Sequence, residues 1–129
     1  MSGEARQRTA LVIDDDPFVG EVLQVLLGTQ GYEVEIITDG INAIELQRDY
    51  DVILLDLKMP IFDGERLTAY WMLTKPDLLK RVIVLSGYSR FTQGRKLPAF
   101  AVLEKPFEYA ALLRAVEACA AQRVAGEIE

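Results

Sequence analysis

Five side chains able to do chemistry each follow a short apolar run. Asp14 and Asp15 follow residues 10–13, Asp56 follows 52–55, Ser86 follows 82–85, and Lys105 comes just after 100–103. Continuous apolar runs of this length are what strands buried on both faces of a parallel sheet require. In open α/β sheets, ligands bind beyond the carboxyl ends of the strands, where the strand order switches. Residues 41, 30 and 19 positions apart, from Asp15 through Asp56 and Ser86 to Lys105, are therefore expected to meet in one patch.

Crowded carboxylates repel by roughly 4 kcal/mol per pair at 4 Å and an effective dielectric near 20. A hard divalent cation offsets that repulsion, and an oxygen-only donor set suits Mg²⁺ or Mn²⁺. Such an ion neutralises charge on an incoming phosphoryl group. Asp56, on the central run, is the expected nucleophile, forming an aspartyl phosphate. Lys105 can pair with one phosphoryl oxygen, and the Ser86 hydroxyl can hydrogen-bond another. Taken singly, each feature has a plainer explanation. An Asp run is usually a turn and helix cap, a lysine a surface charge, and Ser86-Gly87 a turn. Their joint recurrence at four strand ends is what points to a site. Asp16 fits only the cap.

The elements that must position these residues alternate five times. After Asp16, Pro17 suits the first helical position, and Val19, Val22, Leu23, Leu26 and Leu27 mark one face before Gly31. Residues 34–37 predict a second strand, and Asp39 caps a helix to about Gln47. Asp63-Gly64 opens a helix with Leu67, Tyr70, Trp71 and Thr74, stopped before Pro76. A closing helix runs from Phe107 to about Arg123, with Leu112, Leu113, Val116 and Ala120 inward. The rhythm is (βα)₅, a doubly wound parallel sheet covered on both faces. Residues 9–122 form the expected domain, with flexible tails at 1–8 and 123–129.

Composition narrows the chemistry. There is no histidine among the 129 residues, which excludes Ser-His-Asp and Cys-His catalysis, His-ligated zinc and histidine phosphotransfer on this chain. A net charge of −6 argues against non-specific binding to nucleic acid or an anionic membrane. No run approaches the ~20 apolar residues of a membrane-spanning helix, and no signal peptide opens the chain. With Cys119 as the only cysteine, no intrachain disulfide can form. A reducing, cytoplasmic setting is the expectation.

The stretches Val12-Ile13-Asp14-Asp15-Asp16-Pro17, Leu54-Leu55-Asp56-Leu57-Lys58-Met59-Pro60, Asp63-Gly64, Leu85-Ser86-Gly87 and Lys105-Pro106-Phe107 resemble the response-regulator receiver domain of two-component signalling. Five motifs in order, over about residues 9–122, make the resemblance specific. It implies the flavodoxin-like strand order 2-1-3-4-5. It also implies phosphoryl transfer to Asp56 from a histidine kinase, phosphotransfer protein or small phosphodonor, with Mg²⁺ and later autodephosphorylation. By the same match Asp15, Asp56 and the Lys58 backbone carbonyl ligate the metal, Asp14 acts mainly through metal-bound water, and the Lys105–Pro106 bond is cis. Such a domain is a switch rather than an enzyme, and its signal passes by contact with a downstream protein.

Two features depart from the family pattern. Three residues before the lysine, where the family has a switching Tyr or Phe, stands Val102, with Phe100 on the same strand face. The interval from Ser86 to Lys105 is about one helical turn short, and residues 88–99 contain Gly94 and Pro98. The fourth helix is expected to be short or loose, and phosphorylation to act by ordering it through Ser86, Gly87 and Tyr88.

Two other classes share parts of this pattern. A haloacid-dehalogenase-type phosphatase also uses a strand-end Asp and Mg²⁺, but needs a second acid two residues on, where this chain has Lys58. A flavodoxin-like FMN binder needs a phosphate loop after strand one, where Asp14–Asp16 would repel phosphate. A receiver-like module that binds protein without being phosphorylated is the third alternative.

Overall fold

The computed structural model describes residues 7–46, 48–87 and 98–128, with side chains through Gln122. Five strands, β1 (Arg8–Ile13), β2 (Tyr32–Ile37), β3 (Val52–Asp56), β4 (Val82–Ser86) and β5 (Ala101–Glu104), form one sheet in the order β2-β1-β3-β4-β5. Every pairing is parallel. The helices are α1 (Pro17–Gly28), α2 (Gly40–Ala43), α3 (Gly64–Thr74) and α4 (Tyr109–Ile128), with a 3₁₀ turn at Pro76–Arg81.

Strand alternation splits the core in two. Ala10, Val12, Val52, Leu54, Ile83 and Leu85 join Leu23, Leu27, Leu112 and Val116 of α1 and α4. Leu11, Ile13, Ile53, Leu55, Val82 and Val84 face the other way, onto Leu67 and Trp71 of α3. All five residues of β3 are buried, as a central strand covered on both faces must be. Cys119 is buried in the first core, and burial pushes its thiol up to about 11, so it is an inert packing group.

Several boundaries differ from the sequence expectation, for physical reasons. Arg8, placed in the N-terminal tail, opens β1, where its guanidinium pairs with Glu117 of α4 at 2.6 Å. The closing helix runs past Arg123 to Ile128, because nothing in residues 121–125 breaks a helix. The second helix, expected to about Gln47, stops at Ala43. Beyond it the Ile44 carbonyl accepts from Trp71 Nε1 at 3.2 Å, the Leu46 carbonyl from Lys75 Nζ at 3.5 Å, and Glu45 from the Tyr70 hydroxyl at 2.8 Å. Trp71 of α3 and Lys75 just past its end thus satisfy two carbonyls that a longer helix would have used, and tertiary contact overrides propensity. Gln47, Tyr88 and the rest of 88–97, where the sequence predicts a short or loose helix, lie outside the described residues.

Candidate functional site: an acidic cleft at the carboxyl ends of the strands

β1 ends at Ile13, which pairs with Leu55, so the next residues on the two strands, Asp14 and Asp56, come side by side. Asp56 in turn pairs with Leu85 of β4, and Ser86 stands one residue beyond it. Ser86 pairs with Glu104, and its carbonyl accepts from the Lys105 amide at 2.6 Å, which puts Lys105 at the mouth of the same cleft. The Lys105–Pro106 bond is cis. The four strand ends named from sequence therefore converge. Met59 and Pro60 also line the cleft; the sequence reading assigns them no site role, although they stand inside the 54–60 motif.

Carboxylate oxygens of Asp14, Asp15 and Asp56 lie within 4.8 Å of one another. Asp14 and Asp56 are buried while Asp15 is exposed, so the cluster opens to solvent on one side. Lys105 Nζ stands 3.6 Å from Asp56 Oδ1 and 4.0 Å from Asp14 Oδ2, close enough for ion pairing but too far for a hydrogen bond. Asp14 Oδ1 accepts from the Asp16 amide at 2.9 Å, and Asp56 Oδ1 from the Lys58 amide at 3.3 Å. Asp16 itself is the α1 cap, its Oδ1 accepting from the Phe18 amide at 3.0 Å.

Burial raises the Asp14 carboxyl to about 6, and neighbouring Asp56 pushes the same way against the Asp16 amide and Lys105. Asp56 is also raised, first by burial, with Lys105 and the Lys58 amide opposing. Asp14 Oδ2 is buried without a hydrogen-bond partner. A buried, unsatisfied carboxylate oxygen facing two other carboxylates is what a hard cation would satisfy, so the donor set fits Mg²⁺.

That arrangement predicts a sign for pH. Asp14 holds its proton more tightly folded than unfolded, so metal-free protein loses stability as pH rises from about 4 to about 6. Asp14→Asn keeps an oxygen for the Asp16 amide and removes the charge. At pH 7.5 without metal it is expected to raise unfolding stability by roughly 1–2 kcal/mol. With saturating Mg²⁺ the advantage should shrink or reverse, because the variant binds the ion less well. Urea midpoints in chelator and in Mg²⁺ check both arms.

The switch candidates are placed differently. Val102, on the edge strand β5, and Phe100, just before that strand, are both 37% exposed, and the Phe100 amide donates to the Val82 carbonyl at 2.8 Å.

Residues 10–117 match the family model described as the response regulator receiver domain. An uncharacterised response regulatory protein of Vibrio vulnificus is 35% identical over 84% of this chain and 46% of its own length. The sensor kinase CckA of Brucella abortus is 32% identical over 91% of this chain and 13% of its own. The chain thus spans less than half the length of either relative. In structure, the response regulator TrrA of Thermotoga maritima, solved with Mg²⁺ and BeF, superposes with a TM-score of 0.77 at 27% identity, covering 87% of this chain and 98% of that one. Among the described residues no helix is long and apolar enough to cross a membrane. Matching sequence across residues 10–117 and the same five-stranded fold show that this chain belongs to the response regulator receiver family of two-component systems.

Proposed function

We propose that Asp56 is the phosphoacceptor of this domain, working with Asp14, Asp15, the Lys58 carbonyl, Ser86 and Lys105. The observation that carries this reading is the cluster itself, with three carboxylates inside 4.8 Å and one ammonium 3.6 Å from the central one. Asp14, Asp15, Asp56 and the Lys58 carbonyl would hold Mg²⁺. When bound, the ion supplies charge neutralisation for the acids and for the phosphoryl oxygens. An Asp56 oxygen attacks phosphorus as the bond to the donor breaks. Lys105, paired with Asp56 and Asp14 in the resting site, follows the new charge onto a phosphoryl oxygen, and the Ser86 hydroxyl donates to another. Lys58, two residues after Asp56, stands where a haloacid-dehalogenase-type phosphatase has its second acid, which favours a phosphoacceptor over such a phosphatase.

The donor is a histidine kinase or a phosphotransfer protein, consistent with receiver sequence occurring in a relative that is a sensor kinase. The phosphorylated face then signals by contact with another protein. Incubation with a small phosphodonor should label the chain in Mg²⁺ and leave it unlabelled in excess chelator. Labelling indifferent to chelator would refute the metal assignment.

A further inference from the structure

The loop between β3 and α3 carries Lys58, which lines the acidic cleft, and is bent through an unusual turn. The Phe62 amide donates to the Pro60 carbonyl at 2.7 Å, closing a three-residue turn around Ile61. Ile61 has φ of 69°, the left-handed region, where a β-branched residue is strained. Its side chain is 82% exposed, so no packing of that side chain offsets the strain. The backbone around it must hold the turn.

Two glycines do so. At the loop's far end, the Gly64 amide donates to the Leu57 carbonyl at 2.9 Å, and a Cβ on Gly64 would lie 2.6 Å from the Asp56 carbonyl oxygen. Beside the turn, a Cβ on Gly40 would collide with the Phe62 carbonyl oxygen and lie 3.0 Å from its carbon. Gly40 opens α2, whose cap Asp39 accepts from the Asn42 amide at 2.7 Å, so the glycine is itself held in place. Nothing in its own backbone calls for glycine, since no positive φ is found there. The close approach of Phe62 is what requires the missing side chain.

We propose that Gly40 is a positioning residue for the metal pocket: by seating the Phe62 carbonyl it holds the strained turn at Ile61, and through it the Lys58 carbonyl. This rests on the reading of Lys58 as a backbone ligand given above. A methyl at position 40 must push Phe62 outward, and with a stiff Ile61 the displacement passes back along Pro60 and Met59 to Lys58. Glycine at 61 adopts positive φ without strain and gives the loop room to re-seat around the methyl while Lys58 stays in place.

The test is a double-mutant cycle with two readouts. Calorimetric Mg²⁺ titration is run on wild type, Gly40→Ala, Ile61→Gly and the double variant. Hydrogen exchange at the Phe62 and Lys58 amides is followed in the same four proteins without metal. Gly40→Ala should bind Mg²⁺ about tenfold more weakly, and the double variant should return to within about threefold of wild type, the scale expected of groups that orient metal ligands. Exchange at Phe62 should quicken in Gly40→Ala and slow again in the double variant. Equal Mg²⁺ affinity in wild type and folded Gly40→Ala overturns the proposal, as does a double variant no tighter than the single. Should Gly40→Ala fail to fold, the double variant decides. It must fold and bind, and its failure would mean that Gly40 supports the whole domain rather than this loop. A wild type that binds no Mg²⁺ overturns the metal reading itself, an outcome separate from any difference among variants.

Discussion

Asp56→Asn takes up no phosphoryl group from a donor that labels wild type, while keeping its fold. The amide is nearly isosteric and its oxygen can still accept from the Lys58 amide, now 3.3 Å from Asp56 Oδ1. Burial already disfavours the charged form of Asp56, so a neutral side chain relieves crowding against Asp14 and Asp15. Stability should be unchanged or slightly higher, yet the nucleophilic oxygen is gone. Asp14 and Asp15 remain, but neither has the central place opposite β4 that brings the acceptor beside Ser86. Intact-mass measurement after equal exposure should therefore show wild-type label falling to background. A labelled Asp56→Asn chain at wild-type stoichiometry would move the acceptor elsewhere.

Trp71→Ala carries the largest expected cost in stability. Trp71 is fully buried among Leu67, Leu79, Ile53 and Val82 on the α3 side of the sheet. It is also the group that ends α2, through its hydrogen bond to the Ile44 carbonyl. Truncation leaves a large cavity and an orphaned acceptor, for a loss of about 3–5 kcal/mol in unfolding free energy. Trp71→Phe refills most of the volume and loses only the hydrogen bond, at about 1–2 kcal/mol. Urea denaturation at neutral pH separates the two. A Phe variant as unstable as the Ala variant would mean that the hydrogen bond, not the packing, holds residues 44–46 in place.

The parts of the molecule legible in sequence are those set by local pattern. Uninterrupted apolar runs specify β3 and β4, and an Asp-Pro start specifies α1 down to its cap. The chemistry-bearing residues were legible for the same reason, since each stands at the end of such a run and parallel pairing brings the ends together. Long-range contacts were not legible. Nothing in residues 44–46 reveals that Trp71 and Lys75 will take two of their carbonyls and Tyr70 the Glu45 carboxylate, so that α2 ends early. The positive φ at Ile61 contradicts the local preference of a β-branched residue and follows from how Phe62 seats on Gly40, 22 positions away. Met59 and Pro60 enter the cleft through that same loop.

The central claim is the identity of the acceptor. Wild-type protein exposed to a phosphodonor in Mg²⁺, reduced with borohydride to convert an acyl phosphate to an alcohol, and mapped by peptide mass spectrometry tests it most directly. The account predicts a single modified residue, homoserine in place of Asp56, absent from the chelator control. A modification on Asp14, Asp15 or Ser86 with Asp56 intact would contradict it.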